Sequence, residues 1–312
     1  MRPPFGIERL PAIGPAVITL GVFDGVHRGH RAILEATTTA ARERQAASVA
    51  LVFTPHPDEV LRPGTTVPRL LPPERSLEAI EAVGIGHAIP VRFDDELRSL
   101  APEAFLAALA PAIELRGIVM TPGSAFGRGR AGTLARVREI GDGAGFDAIA
   151  VDPLLIDDAP VSSSRIRDAL AAGDLDAARR LLGRAPVLEG TVIHGDRRGR
   201  ELGFPTANLG FDYPPALPAL GIYLGRVSCP AREVGPDHPA LVSIGVRPTF
   251  HEHGLLLVEV YLLDWDGDLY ETTLEVALEA RLRDERRFTS VDELVAQMRA
   301  DEAHARRLLA EG

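Results

Sequence analysis

The chain has 312 residues, 46% hydrophobic and 25% charged, the profile of a globular protein with one large or two ordinary domains, and no apolar run approaches the ~20 residues that span a membrane. Its formal net charge of −10 argues against a broad basic surface for nucleic acid and leaves room only for a local basic cleft. There is no lysine, so all 34 Lys/Arg positions are arginine, which excludes Schiff-base chemistry, pyridoxal phosphate anchoring, a Walker P-loop and a standard protein kinase.

The chain opens on Met1-Arg2-Pro3-Pro4, without the basic-then-apolar order of a signal peptide. From Val17 to about Asp152, strand-like runs alternate with helical patterns. Strands are expected at Val17 to Phe23, Ser48 to Phe53, Ala88 to Phe93, Gly117 to Met120 and Asp147 to Val151. Helices are expected at His30 to Arg44, Glu74 to Ala82, Pro102 to Ala112 and Thr133 to Ile140. This rhythm predicts βαβ units and a parallel sheet covered by helices on both faces. Two further helices, Ser164 to Ala172 and Leu175 to Leu182, lead to a linker at Gly183-Arg184-Ala185-Pro186.

Beyond the linker the pattern becomes strand after strand: Val187 to Ile193, Gly221 to Ser228, Ala240 to Ile244, Leu255 to Leu263 and Leu269 to Ala280. Turn residues separate them, which predicts a small antiparallel barrel. A last helix is opened by the capping box Ser290-Val291-Asp292-Glu293, with Val291, Leu294, Val295 and Met298 on one apolar face. Two domains follow, residues 1–183 and 184–312. The single cysteine, Cys229, rules out an intramolecular disulfide and suits a reducing cytoplasm, the expected location.

Without lysine, phosphate charge must be met by arginine, histidine, backbone N–H groups, helix N-termini or a metal ion. The string Gly21-Val22-Phe23-Asp24-Gly25-Val26-His27-Arg28-Gly29-His30 supplies such groups. It closes a strand at its carboxyl end, where open α/β sheets bind ligands. Its glycines permit close approach of backbone to ligand, and a helix starting near His27 offers free N–H groups to phosphates. His27 and His30, three apart on one helical face, can donate to charge building on a triphosphate. A lone His-x-x-His is as readily a surface feature of a helix start. A second segment, Val161-Ser162-Ser163-Ser164-Arg165-Ile166-Arg167, brings hydroxyls and arginines to another helix start, where a plain Ser cap is the structural alternative.

In the second half, Gly195 and the arginines to Arg200 precede Leu202-Gly203-Phe204-Pro205-Thr206-Ala207-Asn208. Glycine- and arginine-rich loops wrap phosphates, and Thr206 and Asn208 are neutral oxygen ligands suited to Mg²⁺. A glycine-rich hairpin followed by an Asn-containing turn is the plain alternative. Glu259 is a lone carboxylate in the apolar strand Val258-Glu259-Val260-Tyr261-Leu262, either a base for an alcohol substrate or a solvent-facing residue.

Together these segments resemble the bifunctional riboflavin kinase/FAD synthetase (FMN adenylyltransferase) family nearly end to end. The resemblance implies a nucleotidyltransferase-like α/β domain followed by a riboflavin kinase barrel. It implies ATP, riboflavin, FMN and FAD as substrates and products, with Mg²⁺, no nucleic acid, no membrane, and a monomer or weak oligomer. By resemblance, the stretch His27 to His30 would hold the ATP phosphates, with His27, His30 and Arg167 as catalytic residues; Gly21, Phe23, Asp24 and Gly25 would bind the nucleotide, and Ser163, Ser164 and Arg167 would close on its phosphates. Phe53-Thr54-Pro55-His56-Pro57 matches a stretch near the flavin phosphate. Glu259 would be the kinase carboxylate, with Gly195, Arg200 and Arg283 beside the kinase substrates.

One departure stands out. The family's Gly-x-Asp/Asn-Phe-x-Phe-Gly stretch reads Thr121-Pro122-Gly123-Ser124-Ala125-Phe126-Gly127 here, so an amide or acid and an aromatic are missing. Weakened FMN binding is the consequence expected. Two alternatives therefore stay open: a riboflavin kinase with a degenerate or altered adenylyltransferase domain, and a non-enzymatic flavin-sensing regulator.

Overall fold

The computed structural model describes residues 2–195, 199, 202–247 and 255–311. The chain forms two compact units, Met1–Val67 with Pro72–Ser163, and Pro68–Leu71 with Ser164–Gly312.

The first unit is built on a five-stranded sheet in the order β3-β2-β1-β4-β7. Its strands are β1 (Gly14–Gly21), β2 (Ala47–Thr54), β3 (His87–Arg92), β4 (Ile113–Met120) and, after the short hairpin of β5 (Ala125–Phe126) and β6 (Gly132–Thr133), β7 (Asp147–Ala150). All four pairings are parallel. Helices α1 (Arg28–Glu43), α2 (Pro57–Leu61), α3 (Pro73–Ala82), α4 (Asp95–Ser99), α5 (Pro102–Leu109) and α6 (Leu134–Ala144) fill the connections. A hairpin of β8 (Leu155–Ile156) and β9 (Ala159–Pro160) follows β7.

Alternate residues of each strand enter different cores. Ala16, Ile18, Val49, Leu51, Ile118 and Met120 pack with Phe105 and Leu109 of α5 and Val137 of α6. Ala50 and Val52 pack with Leu34 of α1 and Leu77 and Ile80 of α3. Val17 and Val119 meet Ala40 and Ala41 of α1. Both faces are covered, so the strands read as unbroken apolar runs, as buried parallel strands do.

The expected elements are present with shifted ends. β1 stops at Gly21 because Phe23 takes a left-handed backbone, φ 53°. α1 starts at Arg28 rather than His30, and α5 ends at Leu109, after which Ala112 O accepts from the N–H groups of Ile13 and Gly14. The short helices α2 and α4 were not expected; side-chain caps from His56 and Asp94 start them.

The second unit opens with α7 (Ser163–Ala171) beyond its first residue, then α8 (Leu175–Leu182), whose left-handed C-terminal residue is Gly183 at φ 79°. The segment Pro68–Leu71 belongs here too: Arg69 N–H donates to Pro214 O at 2.7 Å, and Arg69 O accepts from Ala216 N–H at 2.7 Å. A closed barrel follows, in the order β10-β11-β14-β13-β12-β15. Its strands are β10 (Val187–Ile193), β11 (Ala207–Gly210), β12 (Gly221–Cys229), β13 (Val234–Arg247), β14 (Leu255–Leu262) and β15 (Thr273–Asp284).

Three expectations are corrected here. β11 is a strand, not a turn. β15 starts at Thr273 rather than Leu269, because Leu269 O accepts from Thr272 and Glu271 sits at φ 62°. Helix α9 (Val291–Glu311) is capped by Ser290 Oγ, which accepts from Glu293 N–H at 3.1 Å. The Glu293 carboxylate, however, returns to Thr289 rather than Ser290.

One face of the barrel strands is fully buried, with Val242, Ile244, Val258, Val260, Leu274, Val276 and Leu278 at most 1% exposed. The alternate residues Ile222, Leu224, Leu241, Tyr261 and Leu282 point outward against Ala305, Leu308 and Leu309 of α9. Of the face expected for α9, Leu294 and Met298 lie over the barrel wall in line with Ala305, whereas Val291 is 60% exposed.

Two candidate active sites

In the first unit β1 sits where the strand order reverses, so the crevice outside the carboxyl ends of β1 and β4 is the natural ligand position. The chain leaves β1 through Gly21 and turns at Phe23, Gly25 (φ 78°) and Val26 (φ 39°) before α1 begins. His27 is not on the helix, contrary to the expected shared face. It is the N-cap, and its Nδ1 accepts from His30 N–H at 3.2 Å, which leaves the ring proton on Nε2. The two imidazoles stack, with centroids 3.5 Å apart and planes at 15°. His30 Nδ1 is buried with no hydrogen-bond partner among the described residues. Burial, and then the His27 ring, hold the His30 pKa well below 6.5, so the ring is neutral.

Two expected motif pieces converge on this turn. Ser163 Oγ donates to Asp24 O at 3.0 Å. A Cβ on Gly29 would lie 3.3 Å from both the His27 ring and Val161 O, so glycine lets the first turn of α1 sit directly against that segment. Asp24 and Gly25 are buried in the turn. Ser164 is exposed at the start of α7. Arg167 belongs to the second unit, where its Nε donates to Pro68 O at 2.6 Å.

The exit of β2 also reaches this edge. Thr54-Pro55 is a cis peptide, and His56 caps α2, its Nδ1 accepting from Asp58 N–H at 3.1 Å while Glu59 accepts from His56 N–H at 3.3 Å. Pro55 and His56 shape the turn, whereas Phe53 and Pro57 line a cavity of about 700 Å³. Phe93, Phe105, Met120 and Phe126 complete its apolar walls. Phe53 meets Phe93 edge to face at 5.5 Å, and Phe105 meets Phe126 at 4.9 Å. Phe93 and Phe105 were not expected at this cavity; Phe93 directly follows β3, a signal the sequence offered, whereas Phe105 lies inside α5 and offered none. The departing stretch lies in the same wall: Ser124 Oγ donates to Thr121 O at 2.8 Å, and the space around a Cβ at Gly123 is open.

In the second unit, Glu259 of β14 pairs with Asn208 of β11 on one side and Ser243 of β13 on the other. It faces neither bulk solvent nor the barrel interior. It lines a cleft of about 430 Å³ on the outer barrel wall beneath α9. Ile222, Leu241, Leu257 and Tyr261 form the floor, and Leu294 and Met298 of α9 form the roof. Thr206 Oγ1 donates to Glu259 Oε1 at 3.3 Å. A second cavity of about 270 Å³, walled by Trp265 and Asp266, meets the first at Pro205, Thr206 and Tyr270. Gly195 packs against the side-chain amide of Asn208, where any Cβ would collide. Arg200 lies outside the described residues.

Arg283 lines the cleft and is held by Asp301 of α9 through Nε at 2.9 and 3.1 Å and Nη2 at 2.7 Å. Asp301 went unnoticed in the sequence. Its signal is a carboxylate in the 294, 298, 301, 305 spacing of a packed helix face.

A riboflavin kinase family model matches residues 182–309 and an FAD synthetase model matches residues 11–165. A bifunctional riboflavin kinase/FMN adenylyltransferase of Pseudomonas fluorescens is 37% identical over 295 residues, covering 94% of this chain and 93% of the relative. The protein of the same description in Escherichia coli K12 is 34% identical, covering 93% and 91%. A crystal structure from Streptococcus pneumoniae, titled a macrolide-efflux protein, superposes with a TM-score of 0.87 at 30% identity, covering 96% of this chain and 97% of that one. The efflux description is that protein's; among the described residues here no helix is long and apolar enough to cross a membrane. With both family models laid in order along its length and relatives matched nearly end to end, the chain belongs to the bifunctional riboflavin kinase/FMN adenylyltransferase family.

Proposed function

We propose that residues 184–312 transfer the γ-phosphoryl group of ATP to the 5′-hydroxyl of riboflavin, giving FMN, and that residues 1–183 join AMP to FMN, giving FAD and pyrophosphate. The observation that carries the kinase reading is the Thr206–Glu259 contact at the meeting of two cavities. The apolar cleft suits the flavin ring and the smaller cavity the nucleotide, so the hydroxyl and the transferred phosphoryl meet beside a carboxylate. Glu259 takes the hydroxyl proton as the oxygen attacks phosphorus, and ADP leaves with the broken P–O bond's electrons.

The donor chemistry fits a hard cation. Among the described residues no group of three or more His, Cys, Asp or Glu could hold a metal. Mg²⁺ would then be held by the neutral oxygens of Thr206 and Asn208 together with phosphate oxygens, and supplies neutralisation of phosphate charge. Arg283 and the backbone at Gly195 border the same substrates.

In the first unit an FMN phosphate oxygen attacks the α-phosphorus of ATP and pyrophosphate departs. The α1 N-terminus and the His27–His30 pair face that charge, with Ser163 closing on it. Phe53 and Pro57 support the flavin end. A kinase with an impaired adenylyltransferase remains the second reading, favoured by the altered 121–125 stretch. The enzyme works on small molecules in the cytoplasm, as a monomer or weak oligomer without nucleic acid or membrane. Incubation of riboflavin with ATP and Mg²⁺, with FMN and FAD resolved by chromatography, tests the two activities. Absence of FMN removes the kinase; FMN without FAD selects the second reading.

A further inference from the structure

The strand pairings set one row of residues across the outer wall of the barrel. Asn208 pairs with Glu259, Glu259 with Ser243, Ser243 with Ile222, and Ile222 with Arg283. Directly paired residues share a face of the sheet, and neighbouring strands lie about 4.8 Å apart. Arg283 therefore stands three strands from Glu259, halfway round the closed six-stranded barrel, and both line the one cleft beneath α9. A substrate with its hydroxyl at Glu259 and its ring lying along that cleft brings its far, carbonyl-bearing edge toward Arg283.

Arg283 is prepared for such a contact. Its Nε and Nη2 donate to the Asp301 carboxylate and its Nη1 to Asp284 O at 2.9 Å. One N–H on each terminal nitrogen lies outside these bonds among the described residues. Asp301 is itself buried and also accepts from Gln297 Nε2 at 2.8 Å, while Gln297 Oε1 accepts from Arg286 Nη1 at 3.2 Å. The guanidinium cannot swing away without leaving a buried carboxylate unpaired.

We propose that Asp301 is a positioning residue for riboflavin phosphorylation. It fixes the Arg283 guanidinium so that its remaining N–H groups meet the carbonyl edge of the flavin ring. This rests on the kinase reading above. The competing role is purely architectural, docking α9 on the barrel. A charged pair of this kind can be replaced by apolar residues with little loss of stability, which separates the two.

The full-length chain would be assayed as wild type, Asp301→Asn, Asp301→Glu and the double variant Arg283→Met/Asp301→Leu. Riboflavin KM, ATP KM and kcat would be measured, with thermal melting as the folding control. We expect Asp301→Asn to raise the riboflavin KM roughly 10- to 100-fold, the scale of a hydrogen bond to a charged group. ATP KM and kcat should move little, and Asp301→Glu should recover part of the loss. The double variant should melt like wild type yet keep the high riboflavin KM. A wild-type riboflavin KM in either folded variant overturns the proposal, and so does failure of both to fold, which would leave the pair only its docking role. Wild-type protein without riboflavin phosphorylation would instead sink the kinase reading itself.

Discussion

Glu259→Gln is the sharpest test of the kinase site. The substitution keeps side-chain size and an oxygen able to accept from Thr206 Oγ1, now at 3.3 Å from the carboxylate. The fully buried neighbours Val258 and Val260 face the opposite side of the strand and are untouched. Folding should therefore survive, and only the proton acceptor is lost. A positioned base contributes about 10²–10⁴-fold, or about 3–5 kcal/mol of barrier. The assay is ATP-dependent conversion of riboflavin to FMN at saturating Mg²⁺, read as kcat, with FAD formation from supplied FMN as the control for the other unit. We expect kcat to fall by that factor while the control holds. Undiminished kcat would make the carboxylate structural and leave the chemistry to positioning and metal.

The remaining tests divide between the two units. His30→Ala should lower FAD synthesis about 10²–10³-fold, the scale of one lost charge-stabilising donor, and spare FMN synthesis; equal rates would return the histidine pair to a capping role. Because folding depresses the His30 pKa, the unfolded chain takes up the proton first; the associated stability is present above about pH 6.5 and lost as pH falls toward the folded value, so the melting temperature should drop on acidification, and less so in His30→Asn. Asn208→Ala should raise the Mg²⁺ and ATP concentrations needed for phosphorylation, and an unchanged Mg²⁺ titration would remove it as a ligand. Gly123→Asn with Ser124→Phe should lower the KM for FMN, since the space at Gly123 is open; no change would show that Phe53, Phe93 and Phe126 already supply the ring contacts. Residues 184–312 alone should fold and phosphorylate riboflavin with a lower melting temperature than the full chain, because Leu175, Ala178, Leu181 and Leu182 of α8 are buried and would be missing; an inactive fragment would count against an independent kinase.

Local chemistry was enough for much of this protein. The alternation of apolar runs and amphipathic segments predicted the parallel sheet, because strands covered on both faces must be apolar throughout. The Gly21–His30 string announced a strand-to-helix turn, since only small residues and a cap let the backbone reverse there. What the sequence did not contain was partnership at a distance. Whether Glu259 met bulk solvent or a roofed cleft depended on α9, which begins more than thirty residues later and roofs the outer barrel wall. The ladder from Asn208 to Arg283 depended on the order β11-β14-β13-β12-β15, in which chain neighbours and spatial neighbours differ. His27 changed from a helix residue to a stacked cap because Phe23, Gly25 and Val26 took positive φ. Short-range propensity selects elements; which side chains then face one another is decided by long-range packing, where burial of one face dictates what the opposite face presents.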